Sequence, residues 1–303
     1  MPANTQELRR RIRGTKSIRQ ITKAMEMIAA SKMRRAQQAA LMSRPYADLA
    51  WEMVEAITQS QRQATSDKAQ GEVHPLLKKP KKENVVLTML VAPNRGLCGS
   101  LPAQVITTAL KDASHERFIT VGRKAERAVL RAGKTIVAHF DGFEGQPQQN
   151  ETRSIAQMLS EQFTGGHVDA VEIVYADFVS TLQYNVKRMR LLPIGERDPD
   201  LGSIGKGNEA KPAGNDVPEF LFEPSPQAVL DSLLPRLVEL SVYQVIVEAL
   251  ASEHSSRMVT MQNATKAADD LIGDFTLTYN RARQAAITAE LADITGGRLA
   301  VAA

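Results

Sequence analysis

Four stretches of the chain carry residue types that could do chemistry. Asn94-Arg95-Gly96-Leu97-Cys98-Gly99-Ser100 would hold the only cysteine on a tight turn between a strand and a helix, the setting in which a nucleophile elbow presents its attacking atom. The elbow wants glycine two positions after the nucleophile, and Ser100 stands there, while sequence places none of His74, His115, His139, His167 or His254 beside the thiol. The simpler reading is a glycine turn with a small buried cysteine. Ala128 to Thr135 reads A-x-x-x-x-G-K-T, the loose form of a phosphate-binding loop. Such a loop leaves a strand and enters a helix, so that backbone amides face the anion. Here Gly133, Lys134 and Thr135 leave a helix and enter a strand, which makes Gly133 a helix terminator.

The third stretch is a run of cations. Arg9, Arg10, Arg11, Arg13, Lys16, Arg19, Lys23, Lys32, Arg34 and Arg35 lie within the first 35 residues, against Glu7 and Glu26. Arg9, Arg13, Lys16 and Lys23 form one stripe, and an imbalance of this size expects an acidic partner. Nucleic acid would also answer clustered cations, but no aromatic side chain is interleaved to stack bases and no groove-reading motif is present. The fourth stretch is Glu290 and Asp293, just before Gly296 and Gly297. Anions at a helix C-terminus oppose its dipole at about 0.3–1 kcal/mol each, which hints that another subunit meets them. No histidines, cysteines or carboxylates have metal-ligand spacing, so no metal or cofactor is expected.

The elements that must position these residues begin with a long C-terminal helix over about 225–298. Ser225 can cap it, and Pro226 occupies the first helical position. Within it Met258, Met261, Thr265, Ala268, Ile272, Phe275, Tyr279, Ala282 and Ala286 recur at steps of three and four, the seam of a coiled coil. A matching stripe occurs at the other end of the chain, in Gly14, Ile18, Ile21, Met25 and Ile28, inside a helix over 5–57 that would be roughly 80 Å long. Asn4 and Glu7 can cap that helix, Pro45 should kink it near Arg44, and Pro235 should kink or break the C-terminal helix.

Between them the pattern alternates. Strands are expected at 85–91, 118–121, 135–140, 170–176 and 182–192, and helices at 102–113, 123–131 and 152–163, which predicts a parallel sheet covered by helices. Residues 59–83 read as a connector with a short turn near 74–77, and 195–218 as a solvated loop rich in glycine and proline. The fold class is thus α plus α/β: a long antiparallel coiled coil of the N- and C-terminal helices with an inserted Rossmann-like domain. The expected divisions are 1–58, 59–83, 84–194, 195–218 and 219–303.

At 303 residues, 43% of them hydrophobic and 24% charged, with net charge +4, the chain can bury a substantial core. It has no bilayer-spanning run and no signal core, and its single cysteine fits a reducing compartment; a cytoplasmic chain is expected.

Four blocks resemble a known family. Ile287-Thr288-Ala289-Glu290-Leu291-Ala292-Asp293-Ile294-Thr295-Gly296 resembles the C-terminal signature of the gamma subunits of rotary ATP synthases. Ile21-Thr22-Lys23-Ala24-Met25-Glu26-Met27-Ile28-Ala29-Ala30-Ser31-Lys32-Met33 is similar to their N-terminal block, Arg95-Gly96-Leu97-Cys98-Gly99-Ser100 to their first turn, and Glu253-His254 with Arg257-Met258 to a fourth. Gly297 stands where the family usually has alanine, and Asn94 where aspartate is common.

The resemblance implies a non-catalytic central-stalk rotor. Its helices would enter the hexamer of alpha and beta subunits, and its globular end would stand on the membrane c-ring beside epsilon, in single copy, on the cytoplasmic face of a bacterial inner membrane. Arg283, Gln284, Thr288 and Glu290 match the residues that meet the beta-subunit catch loop. Met25, with Arg9 and Lys23 nearby, matches the face passed by the acidic beta-subunit lever. Two other classes remain open to the residues themselves: a cysteine-dependent hydrolase built on the α/β domain with Cys98 or Lys134, and a nucleic-acid adaptor using the basic helix.

Overall fold

The computed structural model describes residues 5–64, 74–80, 84–111, 116–143, 145, 147–195 and 222–302, with side chains omitted at 58–64, 149 and 296–302. The cap expected at Asn4 and almost all of the loop expected over 195–218 lie outside the described residues, as does much of the connector. The elements in order are α1 (Thr5–Ala64), a 3-10 turn (Pro75–Leu77), β1 (Val86–Val91), α2 (Leu101–Leu110), β2 (Glu116–Val121), α3 (Arg123–Arg131), β3 (Ile136–Phe140), α4 (Gln149–Thr164), β4 (Ala170–Phe178), β5 (Tyr184–Leu192) and α5 (Pro226–Ala302). The chain divides into two units, Met1–Ala29 with Arg257–Ala303, and Ala30–Ser256. Both boundaries fall inside helices, since α1 and α5 each contribute to both units.

The larger unit is built on a five-stranded sheet of order β3-β2-β1-β4-β5. β1 runs parallel to β2 and β4, with Val86 level with Glu116 on one side and Ala170 on the other, and β2 runs parallel to β3. Leu87, Met89, Leu90, Ile119 and Ile173 are fully buried, as expected of strands covered on both faces. On one face α2 and α3 place Leu101, Val105, Ala109, Ala125 and Val129 against Leu90, Phe118 and Val174. The strand β5, in contrast, is antiparallel to β4, with Phe178 opposite Tyr184. Five residues join them, enough for a hairpin but far too few for the crossover a parallel neighbour needs. The wholly parallel sheet expected from the alternation is therefore corrected at this edge.

Within the same unit, Val242, Val245, Ile246, Val247, Leu250 and Ala251 of α5 are all buried. These positions run right round the helix, as in a helix enclosed by the rest of a core. Ser225 caps α5 by accepting a hydrogen bond from the Ala228 amide at 3.2 Å. Neither Pro45 nor Pro235 ends its helix.

The smaller unit is an antiparallel helix pair. Arg9 donates to the Tyr279 hydroxyl at 2.7 Å, Arg19 pairs with Asp269, and the Thr265 hydroxyl donates to Thr22 Oγ1 at 2.9 Å. Ten residues forward along α1, from Arg9 to Arg19, correspond to ten backward along α5, from Tyr279 to Asp269. The α5 stripe has the expected phase: Met261, Thr265 and Ala268 are buried, and Met258, Ile272, Phe275, Tyr279 and Ala282 half-buried, while Ala286 is exposed.

The α1 stripe does not. Ile18, Ile21 and Ile28 are each 57% exposed and Gly14 is exposed, whereas Leu8, Thr22 and Ala29 are buried and Thr15 half-buried. The true seam repeats every seven residues, at 8, 15, 22 and 29. Small threonine and alanine side chains let the helices approach closely, and the buried hydroxyls of Thr22 and Thr265 satisfy each other while Thr22 donates to its own Arg19 carbonyl at 3.0 Å.

Candidate functional site

In a doubly wound sheet of this order, ligands enter a crevice at the carboxyl ends of the strands, where the order reverses, here between β1 and β4. That place is occupied by α5. Ile246, Ala249, Leu250 and Glu253 lie against Ala92 and Pro93 after β1, Val121 of β2, and Ala176 of β4, leaving a gap of about 20 Å³, room for one water. A small-molecule site needs roughly 300–1,000 Å³.

The turn around Cys98 serves the same contact. Cys98 is 1% exposed with its Sγ 3.7 Å from the Arg95 carbonyl, and its own carbonyl accepts from Ser256 of α5 at 2.7 Å. The neighbouring Ser255 donates to the Thr181 carbonyl in the β4–β5 turn at 2.5 Å. One stretch of α5 is thus fastened to both loops, and a buried thiol facing a carbonyl is in no position to attack a substrate. The hydrolase reading is set aside on this geometry.

The amides at the start of α3 are equally taken. Asn94 Oδ1 accepts from the Arg123 amide at 3.0 Å and from the Gly142 amide at 3.1 Å, its Nδ2 donates to the Gly142 carbonyl at 2.7 Å, and the Lys124 amide donates to the Pro93 carbonyl. No amide is left there to cradle a phosphate. Gly122 precedes them at φ 94°, and a Cβ there would stand 2.0 Å from the Ala92 carbonyl oxygen, so only glycine fits. At the other end of α3, Gly133 adopts φ 66°, its amide donates to Leu130 and that of Lys134 to Val129. This is a Schellman cap, and Gly133-Lys134-Thr135 is a helix terminator.

Surface for a partner is offered by the outside of the helix pair and by the α5 residues beyond the level of Thr5. On α5, Arg283, Gln284, Thr288 and Glu290 are all exposed, with Thr288 donating to the Gln284 carbonyl at 3.0 Å. Among the described residues Arg283 and Glu290 form no ion pair. Ile287, Leu291 and Ile294 run beside them, 49%, 58% and 67% exposed. On α1, Arg9 lies over the Tyr279 ring at 5.5 Å besides its hydrogen bond, Lys23 pairs with Glu26 at 3.0 Å, and Met25 is half-buried. Two of the sequence-predicted contact residues are therefore already engaged within the pair, while Ile18, Ile21 and Ile28 add an apolar face that periodicity assigns to the seam. Their exposure is what sequence periodicity alone does not reveal. Glu290 and Asp293 are also not at a helix end: α5 continues to Ala302, so the expected dipole cost, confined to the last turn, does not arise.

A doubly wound sheet whose ligand crevice is filled by its own helix, with a helix pair presenting bare charged and apolar faces, defines a structural subunit that works through partners rather than a nucleotide-binding enzyme. The comparisons agree. A family model described as ATP synthase matches residues 4–301. An ATP synthase gamma chain of Dehalococcoides mccartyi is 39% identical over 306 residues, covering 99% of this chain and all of that one, and one of Chloroflexus aurantiacus is 37% identical over 308 residues, covering 99% of each. The chain belongs to the ATP synthase gamma-chain family. In fold it is similar to a chain of the Euglena gracilis mitochondrial ATP synthase, determined with OSCP, F1 and c-ring, at TM-score 0.64, 19% identity and coverage of 98% of this chain and 94% of that one. A chain of the Tetrahymena thermophila central stalk and c-ring gives TM-score 0.57 at 22% identity, covering 80% and 99%. Among the described residues no helix is long and apolar enough to cross a membrane.

Proposed function

We propose that this chain is the central-stalk rotor of a proton-translocating ATP synthase, carried in single copy as a peripheral subunit on the cytoplasmic face of a bacterial plasma membrane. Residues 1–58 and 219–303 supply the shaft and 84–194 the globular body, with 59–83 and 195–218 as connector and loop. The shaft enters the alpha/beta hexamer, and the body stands on the c-ring beside epsilon. The chain catalyses nothing itself and needs no cofactor or nucleic acid.

The observation that carries this reading is the exposure of large apolar residues along the two helices, Ile18, Ile21 and Ile28 on the outside of the pair and Ile287, Leu291 and Ile294 on the stretch of α5 beyond the level of Thr5, the first described residue of α1. Water-exposed apolar groups of this kind are what a sleeve of partner subunits would cover. Arg283, Gln284, Thr288 and Glu290 are assigned to the beta-subunit catch loop. Met25, Arg9 and Lys23 are assigned to the track of the acidic lever. Rotation drives a beta subunit only through contacts that differ between its open and closed forms, so an asymmetric surface, rather than a tight one, is what the mechanism requires.

The test is co-purification from native membranes with a tagged chain, followed by ATPase assay of the parent and of R283A/Q284A. Alpha and beta subunits should accompany both, and the variant should lose most ATPase activity. A chain that emerges alone, or a fully active double variant, overturns the reading or its catch contacts respectively.

A further inference from the structure

We propose that Gly14 and Gly273 form a soft joint in the helix pair, a level at which both helices bend and twist more readily than on either side. The pairing of Arg9 with Tyr279 and of Arg19 with Asp269 fixes the alignment: Gly14 is midway between the two arginines, and the residue opposite it on α5 is Asp274, adjacent to Gly273. The two glycines therefore share one level to within about one residue, some 1.5 Å of helix.

Neither glycine is needed for packing. Both are exposed, a Cβ added at either would meet nothing within 4 Å, and neither has a positive φ. Glycine in a helix interior weakens it relative to alanine, through backbone freedom, by about fivefold in the local folding equilibrium. Two such sites at the same height concentrate that weakness.

Other features at this height bear on the same weakness. Thr15, next to Gly14, donates to the Arg11 carbonyl at 3.0 Å, while Thr276 and Thr278, just past Gly273, donate to the Ile272 carbonyl at 2.6 Å and the Asp274 carbonyl at 2.9 Å. Threonine back-bonding of this kind bends helices; it also occurs nearby, from Thr22 to Arg19 and from Thr265 to Met261, so it is the two glycines that set this level apart. The seam loosens from this level toward the C-terminus of α5: Ile12, Thr15, Ile272 and Phe275 are only half-buried, as are Tyr279 and Ala282 further on, whereas Thr22, Thr265 and Ala268 are buried. Finally, the polar cross-ties at Arg9–Tyr279 and Arg19–Asp269 clamp the pair on both sides, so deformation collects between them. The joint is a property of the helix pair and stands whether or not the chain is a rotor.

Amide hydrogen exchange on the full chain tests it. In the parent, amides of residues 270–278 should exchange faster than those of 261–268, and amides of 11–17 faster than those of 19–26. In G14A/G273A the two fast windows should slow by about fivefold each, with the flanking windows unchanged. Alanine favours the helix and meets no atom, so the variant keeps its fold. Windows 270–278 and 11–17 that exchange no faster than 261–268 and 19–26 in the parent, or an effect of the variant spread evenly along both helices, overturn the proposal.

Discussion

Asn94 offers a graded test of how the α/β unit is held at the carboxyl ends of its strands. Its side chain makes three hydrogen bonds: two accepted at Oδ1, from the Arg123 and Gly142 amides, and one donated from Nδ2 to the Gly142 carbonyl at 2.7 Å. N94A removes all three. Loss of the contact to the first amide of α3 costs about 1 kcal/mol, as for a helix cap, and the stranded Gly142 peptide adds about 1–3 kcal/mol. N94D keeps both accepted bonds and loses only the donated one, turning a carboxylate oxygen toward a carbonyl, so it should cost about 1–2 kcal/mol. For a folding unit of this size each kcal/mol lowers Tm by roughly 2–4 °C, which predicts falls of about 5–15 °C for N94A and 2–8 °C for N94D. Differential scanning calorimetry of parent and variants at matched scan rate reads the order directly. Equal falls for the two variants, or an N94A protein within 1 °C of the parent, would refute the assignment of separate work to the amide nitrogen and oxygen.

Arg188 donates to Glu116 and Glu172, each at 2.9 Å, and to the Thr108 and Ala109 carbonyls at the end of α2. R188M leaves two poorly exposed carboxylates side by side. It should cost about 2–3 kcal/mol in urea unfolding, below the roughly 3–5 kcal/mol of a fully buried pair because this one is partly solvated; a loss under 1 kcal/mol would mean that the network is ornamental. His74 accepts the Leu76 amide on Nδ1 at 3.2 Å, and burial lowers its pKa from 6.5, opposed by the attraction of Asp231. The folded state thus favours the neutral ring. Its stabilising contribution is complete above pH 6.5 and is lost as pH falls through the lower folded value. Stability of the parent should therefore fall on acidification below pH 6.5 more steeply than that of H74Q, and parallel pH profiles would show that the ring does not titrate in this way.

Much of the molecule was legible in the chain because it depends on local pattern. The run of apolar strands and amphipathic helices between 84 and 194, Gly133 as a helix terminator and Ser225 as a cap follow from side-chain periodicity and backbone permissiveness. So does the α5 seam through Met261, Thr265 and Ala268, where buried positions and sequence stripe coincide. Tertiary structure decided the rest. α1 carries two stripes able to line a seam, one of isoleucines and one of Leu8, Thr15, Thr22 and Ala29, and hydrophobicity alone favours the first. The second faces inward, with Thr22 meeting Thr265 across the seam, a contact that depends on a residue of the other helix more than 240 positions away. The same holds for the sheet. Its order and turns mark a ligand crevice, but only long-range packing determines that α5 fills it, fastened by Ser255 and Ser256 to loops that precede it by 74 and 158 residues.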